Sequence, residues 1–165
     1  MKNFIIGILI VIVGFITPIT TVVRNIQFDQ KCGGFLKQAA DANTVELAID
    51  RLNKAIDFIE SNNLTSGYTS VLWRTEDENI EYWYQNIKAC RDELKEALES
   101  SALEKSNLLM KVRESLTDDN ENGTMLTIPM GISRYPHNLL FGILNTLSAF
   151  IILFGIFVMA AIDFD

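Results

Sequence analysis

Two long stretches without a formal charge, one near each end of the chain, limit what this sequence can fold into more than any other feature. No charged residue lies between Lys2 and Arg24, and none lies between Arg134 and Asp163. Both stretches are rich in large apolar residues, and each exceeds the roughly 20 residues that a helix needs to cross the hydrocarbon core of a bilayer. We therefore predict an integral membrane protein with two transmembrane helices.

The two apolar stretches divide the 165 residues into three parts. We predict a first transmembrane helix over 3–23, a middle domain over 24–137 and a second transmembrane helix over 138–162. The middle domain holds 13 of the 14 basic and 19 of the 21 acidic residues, which gives it a net charge of −6. Such an acidic surface argues against nucleic acid as a partner, because binding to phosphates requires basic side chains.

The charges next to the spans bear on which side of the membrane holds the middle domain. The apolar stretch at the N-terminus follows a single lysine and lacks the small-residue pattern of a cleavage site, so we predict an uncleaved signal anchor. Arg24, Lys31 and Lys37 would favour a cytoplasmic middle domain. Loops longer than about 60 residues, however, translocate largely regardless of their charge. We therefore expect both termini to be cytoplasmic and the middle domain to be extracytoplasmic.

One amphipathic helix is predicted over 44–62. Apolar residues recur in this segment at steps of three and four, the spacing that places them on one face of a helix. They are Val45, Ala48, Ile49, Leu52, Ala55, Ile56 and Ile59. Asn43 or Thr44 can cap the start of this helix, and the Asn62–Asn63 pair suits its end.

A second and longer helix is predicted over 76–116. Thr75 with Glu78 three residues later forms a capping-box pattern, and an apolar stripe follows, with one change of phase around Ser100 and Ser101. A helix of this length would be about 60 Å long and would need other helices to pack against. The fold expected from both segments is all-α: two transmembrane helices flanking a long, coiled-coil-like helical hairpin. The two arms of this hairpin would be residues 24–62, with a possible break at Gly33 and Gly34, and residues 76–116.

The two connecting segments differ in character. The loop over 63–75 would lie at the membrane-distal tip of the hairpin, and its Tyr68, Leu72 and Trp73 are apolar for an exposed turn. We expect these side chains either to pack on the helices or to bind a partner. The loop over 117–136 would lie near the membrane, because the second span follows it. It begins acidic and becomes apolar and β-like.

Small and polar residues form a strip on each predicted span. Small residues let transmembrane helices approach closely, and asparagine can hydrogen-bond across them. The strips consist of Gly7, Gly14 and Thr21 in the first span and of Asn138, Gly142, Asn145 and Ala149 in the second, with Ser148 beside the second strip. Such strips would pack the two spans against each other or would join several copies of the chain. In an assembly of several copies, Asn145 and Thr146 could face a pore.

The residue types that catalysis and metal binding require are too few to form a site. The single histidine, His137, has no nearby Cys or His with which to bind a metal, and Cys32 or Cys90 would lack a general base. We therefore expect no catalytic residue, no metal site, no cofactor and no small-molecule substrate. The two cysteines would form a disulfide in an extracytoplasmic domain or be ordinary buried thiols.

These features favour a non-enzymatic structural or interaction protein of the membrane. Its helical hairpin would mediate self-association or the docking of a partner. The expected partners are therefore the lipid bilayer and either further copies of the chain or another membrane protein. Two alternatives are a small homo-oligomeric channel or pore formed by the spans, and an accessory subunit of a larger membrane complex.

Overall fold

The computed structural model describes residues 2–120 and 123–161, and this part of the chain is mostly helical. It forms two compact units. The first, which we call the apolar helix pair, contains the residues up to Ile26 and those from Pro136 onward. The second, which we call the helical domain, is Gln27–Tyr135.

Seven α-helices, two short strands, one π-helical turn and two short 3₁₀ turns make up the regular structure of the described residues. The helices are α1 (Lys2–Gly14), α2 (Ile16–Phe28), α3 (Gly34–Ala40), α4 (Val45–Ser61), α5 (Ile80–Glu96), α6 (Ala102–Leu116) and α7 (Asn138–Ala160). The strands are β1 (Thr117–Asn120) and β2 (Gly123–Leu126).

Proline accounts for the boundary between α1 and α2. Pro18 has no N–H to donate to the carbonyl of Gly14, and its ring crowds that carbonyl. The regular helix is interrupted at Phe15 and then resumes. Just beyond, the hydroxyls of Thr20 and Thr21 donate to carbonyls four residues earlier, at 2.8 and 3.0 Å. These bonds satisfy the two hydroxyl donors inside an otherwise apolar stretch.

Among the residues that the structure describes, two helical stretches are long and apolar enough to cross a membrane, Phe4–Ala40 and Asn138–Ala160. Only 11% of the most apolar 18-residue window of each is buried, whereas the core helix of a soluble protein is mostly buried. The first stretch is longer than the predicted span over 3–23, because α2 continues through one π-helical turn at Asp29–Gly33 into α3. Residue 162, the predicted end of the second span, lies outside the described residues.

The helix predicted over 44–62 is present as α4, and local sequence determines both of its ends. The Oγ1 atom of Thr44 accepts a hydrogen bond from a backbone N–H in the first turn, at 3.3 Å. At the other end Asn63 has a φ of 55°, a left-handed conformation that asparagine tolerates. The N–H of Leu64 then donates to the carbonyl of Ile59 at 2.9 Å, which closes the helix in a Schellman motif.

The prediction of a single helix over 76–116 is wrong, because this segment forms two helices, α5 and α6, that pack side by side. The chain turns after α5, and α6 begins at Ser101, whose Oγ accepts a hydrogen bond from a backbone N–H of the first turn at 3.3 Å. An ion pair between Lys111 and Glu93, at 2.6 Å, links the two helices. The change of phase in the apolar stripe marks this turn.

The helices α3, α4, α5 and α6 enclose one apolar core. Every one of them contributes fully buried side chains. Among these are Leu36, Leu52, Ile56, Ile59, Ile80, Ile87, Leu94 and Val112. Because α6 folds back along α5, its Val112 and Leu116 join this core instead of extending a rod. Four packed helices therefore take the place of the predicted coiled-coil-like hairpin of two long arms.

The loop predicted over 117–136 contains a β-hairpin. The strands β1 and β2 pair antiparallel, with Thr117 opposite Leu126, and their turn at residues 121–122 lies outside the described residues. The N–H of Thr127 donates to the carbonyl of Leu116 at 2.9 Å. This bond ties the hairpin to the end of α6.

Both chain ends of the helical domain lie where α4 finishes. The ring of Phe28, next to the start of the domain, lies 6.0 Å from the ring of Phe58 in the last turn of α4. At the other chain end, the ring of Tyr135 covers Gly67 so closely that a Cβ on Gly67 would lie 3.0 Å from its Cζ. The loop over 63–75 therefore lies where the chain enters and leaves the domain. The predicted membrane-distal tip assumed two long arms, and that assumption does not hold.

Candidate functional site

The first candidate site is the contact between α1 and α7, where two glycines face each other. A Cβ built on Gly7 would lie 2.9 Å from the carbonyl oxygen of Gly155, and one built on Gly155 would lie 3.0 Å from that of Gly7. These distances leave no room for a side chain. The backbones of the two helices therefore approach as closely as small residues allow in transmembrane packing.

The rest of the predicted strip on the first span also faces α7. A Cβ on Gly14 would lie 3.3 Å from the backbone nitrogen of Ile152. The hydroxyl of Thr21 accepts a hydrogen bond from Nδ2 of Asn145 at 3.2 Å. Gly7, Gly14 and Thr21 thus lie along one continuous contact with α7.

On α7 the contact surface differs from the predicted strip. Gly142 has no neighbour within 4 Å of where its Cβ would lie, and Asn138 is only half-buried at the start of the helix. The residues that face α1 and α2 recur at steps of three and four. They are Asn145, Ser148, Ile152, Gly155 and Met159. The predicted strip left out Gly155 and had Ser148 only beside it, although a glycine in a long apolar run is a signal for close packing.

The other faces of the apolar helix pair expose large apolar side chains. Among the most exposed are Leu9, Ile12, Ile16, Phe150, Leu153 and Phe157. Extended apolar surfaces of this kind are rare on soluble monomers and mark contacts with membranes or other proteins.

The second candidate site is the exposed loop of the helical domain, by which we mean residues 70–77. Backbone hydrogen bonds between the segments on either side close this loop: Thr69 N–H donates to Glu78 O at 3.1 Å, and Ile80 N–H donates to Gly67 O at 2.9 Å. Residues 71–77, between these two bonded segments, are exposed and lie outside the core.

The three predicted partner-binding residues take two different positions. Leu72 is 77% exposed and Trp73 is 80% exposed, so both side chains are available to a partner. Tyr68 belongs to the base of the loop: its hydroxyl accepts a hydrogen bond from Nδ2 of Asn79 at 3.2 Å. The guanidinium of Arg74 lies 5.2 Å from the centre of the Tyr68 ring, which holds the loop against this base.

A cleft of about 970 Å³ lies beside the exposed loop. Five carboxylates line it, and no basic side chain is among its lining residues. The carboxylates are those of Glu76, Asp77, Glu78, Glu114 and Asp118. Within the described residues, no three His, Cys, Asp or Glu side chains come together in a way that could hold a metal ion.

The two cysteines are free, and both are buried. Of the two alternatives left open by the sequence, the structure has the ordinary buried thiols and not the disulfide. Burial raises the pKa of the Cys90 thiol above its usual value, against a smaller opposite effect of a hydrogen bond with Ser115. A buried thiol with a raised pKa is a poor nucleophile.

No protein-family model, no curated protein and no solved structure matches this chain. Any function assigned to it therefore rests on its own geometry.

Proposed function

We propose that this chain is a non-enzymatic integral membrane protein whose helical domain mediates self-association or the docking of a partner. The observation that carries the proposal is the asymmetry of the apolar helix pair. Its two helices use glycines, Thr21 and Asn145 for contact with each other and leave their large apolar side chains exposed. A bilayer would cover this surface, because lipid tails are as apolar as leucine.

The sidedness that we propose keeps both termini in the cytoplasm and the helical domain outside it. Support comes from the length of the segment between the two apolar helices, since long loops translocate largely regardless of charge. A protease added to sealed, right-side-out vesicles should then cleave the helical domain. Protection of the domain from the protease in intact vesicles, with cleavage only after lysis, would reverse this orientation.

Self-association or docking is the role that the exposed groups of the chain favour. The outward faces of α1 and α7 remain uncovered after the two helices have packed together, and Leu72 and Trp73 are exposed on the helical domain. A pore has no comparable support, because Asn145 donates its amide N–H to Thr21 inside the helix pair.

Native mass spectrometry of the gently solubilised protein in a membrane mimic tests the proposal. A discrete multiple of 18.6 kDa would support self-association, and one copy that travels with other polypeptides would support docking or an accessory role. A bare monomer, or a protein that washes off membranes with alkaline carbonate, would contradict the proposal.

A further inference from the structure

The exposed loop lies at the end of the helical domain from which the chain continues into α7. Tyr135, the last residue of the domain, lies against Gly67 at the base of this loop. Phe28, next to the first residue of the domain, packs on Phe58 in the last turn of α4, the helix that precedes the loop. The turn between α5 and α6 belongs to the opposite end, because α5, with 17 residues, is about 25 Å long.

Chain length limits how far the loop can be from the start of α7. Asn138, which begins α7, comes three positions after Tyr135, and three such steps can span at most about 10 Å. Leu72 comes five positions after Gly67, and five such steps can span at most about 18 Å. If α7 crosses a membrane, these limits keep the loop within reach of the membrane surface.

The side chains at the crest of the loop suit such a surface. Val71, Leu72 and Trp73 are consecutive, apolar and exposed, and Met130, on the neighbouring segment, is 78% exposed. Tryptophan is enriched where membranes meet water, because its ring is apolar while its N–H can still hydrogen-bond. The carboxylates that follow at residues 76–78 would be repelled by anionic lipid, so a neutral headgroup layer suits the loop best.

We propose that Val71, Leu72 and Trp73 form an interfacial anchor that inserts into the headgroup layer of the membrane that α7 crosses. This inference rests on the proposed function, since it requires an integral membrane protein. The anchor holds the end of the helical domain against the lipid surface. The occupant of this apolar patch is thus neutral lipid, and a protein partner is the competing outcome.

The full-length protein in phosphatidylcholine vesicles provides the test. The chain has two tryptophans, so Trp83→Phe leaves Trp73 as the single fluorophore. We expect lipids with brominated acyl chains to quench its emission and dissolved acrylamide to quench it poorly. If Trp83→Phe does not fold, the difference between the unmodified protein and Trp73→Phe reports the same signal.

Two controls match this measurement. Trp73→Phe leaves only Trp83, which is buried in the core and should respond weakly to both quenchers. Leu103→Trp in a chain without the two native tryptophans places an indole at a site that is 72% exposed, at the start of α6 and at the opposite end of the domain. That indole should be quenched by acrylamide and not by brominated lipid.

Three results would overturn the anchor. If the protein resists carbonate extraction but Trp73 responds to acrylamide and not to brominated lipid, the loop is in water. If Trp73 is shielded from both quenchers, a protein surface covers it. If the protein is released by carbonate, the proposed function fails first and the anchor fails with it.

Discussion

At the scale of single residues, the contact between α1 and α7 depends on the absence of side chains. The backbones of Gly7 and Gly155 are so close that neither residue tolerates a Cβ without movement. Gly142 lies on the same helix but faces open space. The two glycines of α7 therefore form a matched pair for testing which face of the helix carries the contact.

We expect Gly155→Leu to destabilise the helix pair by about 1–3 kcal/mol, the usual cost of overpacking a close contact. Its Cβ alone would lie 2.7 Å from Val11 and 3.0 Å from the carbonyl of Gly7. Unfolding of the full-length protein in detergent, followed by circular dichroism, measures the change. Gly142→Leu adds the same bulk on an open face and should leave stability nearly unchanged. Equal effects of the two variants would show that α7 uses another face.

The thiol of Cys90 gives a prediction about pH. Burial is the main cause that raises its pKa above 9.0, so the native state favours the neutral thiol. This contribution to stability is complete below pH 9.0 and is lost as the pH rises through the raised pKa. In a Cys32→Ala variant at about pH 8, alkylation of Cys90 should be much slower in the native protein than in denaturant. It should accelerate above pH 9.0. Equal native and denatured rates would mean that the thiol is not buried.

At the scale of elements, one serine separates two different folds for residues 76–116. In the structure Ser101 caps α6, and an alanine in its place would leave a backbone N–H without its side-chain partner. In a continuous helix the same residue would be an interior position, where alanine is the better helix former. The sign of one stability change therefore distinguishes the two arrangements.

We expect Ser101→Ala to lower the free energy of unfolding of the helical domain by about 1 kcal/mol. Denaturant unfolding monitored at a helix signal measures it. The control is Ser106→Ala, an exposed position inside α6, which should be neutral or slightly stabilising. A gain in stability from Ser101→Ala would contradict the turn at Ser101 and would support a single continuous helix over 76–116.

At the scale of the whole molecule, the chain combines an apolar helix pair with a domain that has its own core. The buried side chains of that core all come from residues 28–132. A core closed within one segment is the property that lets a domain fold by itself.

A fragment of residues 27–135 should therefore fold without the apolar helices. We expect it to be helical and to melt in one cooperative transition, observed by far-UV and near-UV circular dichroism. A helical signal without near-UV structure and without a cooperative transition would show that the domain needs the helix pair. The same fragment with Val112→Ala should melt at a lower temperature, because the substitution creates a cavity in the core.

The sequence by itself determined the features that depend on local composition. Charge-free length was enough to predict two helices that could cross a membrane, since the thickness of a bilayer sets that length. Periodicity and capping residues were enough to predict α4, because Thr44 and the Asn62–Asn63 pair act through bonds within a few residues. The strip of Gly7, Gly14 and Thr21 could also be predicted, because its residues recur every seven positions and this spacing places them on one face of a helix.

Only the tertiary structure decided how these elements pack. The fold-back of α6 on α5 depends on whether Val112 and Leu116 can reach a core formed by α3 and α4, and no local pattern contains that contact. The face that α7 turns to α1 is likewise set by the partner helix, which selects Ser148 and Gly155 over Gly142. The loop of Leu72 and Trp73 was expected at the distal tip of a hairpin. It lies instead at the end where the chain enters and leaves the domain, because four helices pack together where two long arms were predicted. Local bonds fix where a helix begins and ends, whereas long-range burial fixes which helices meet.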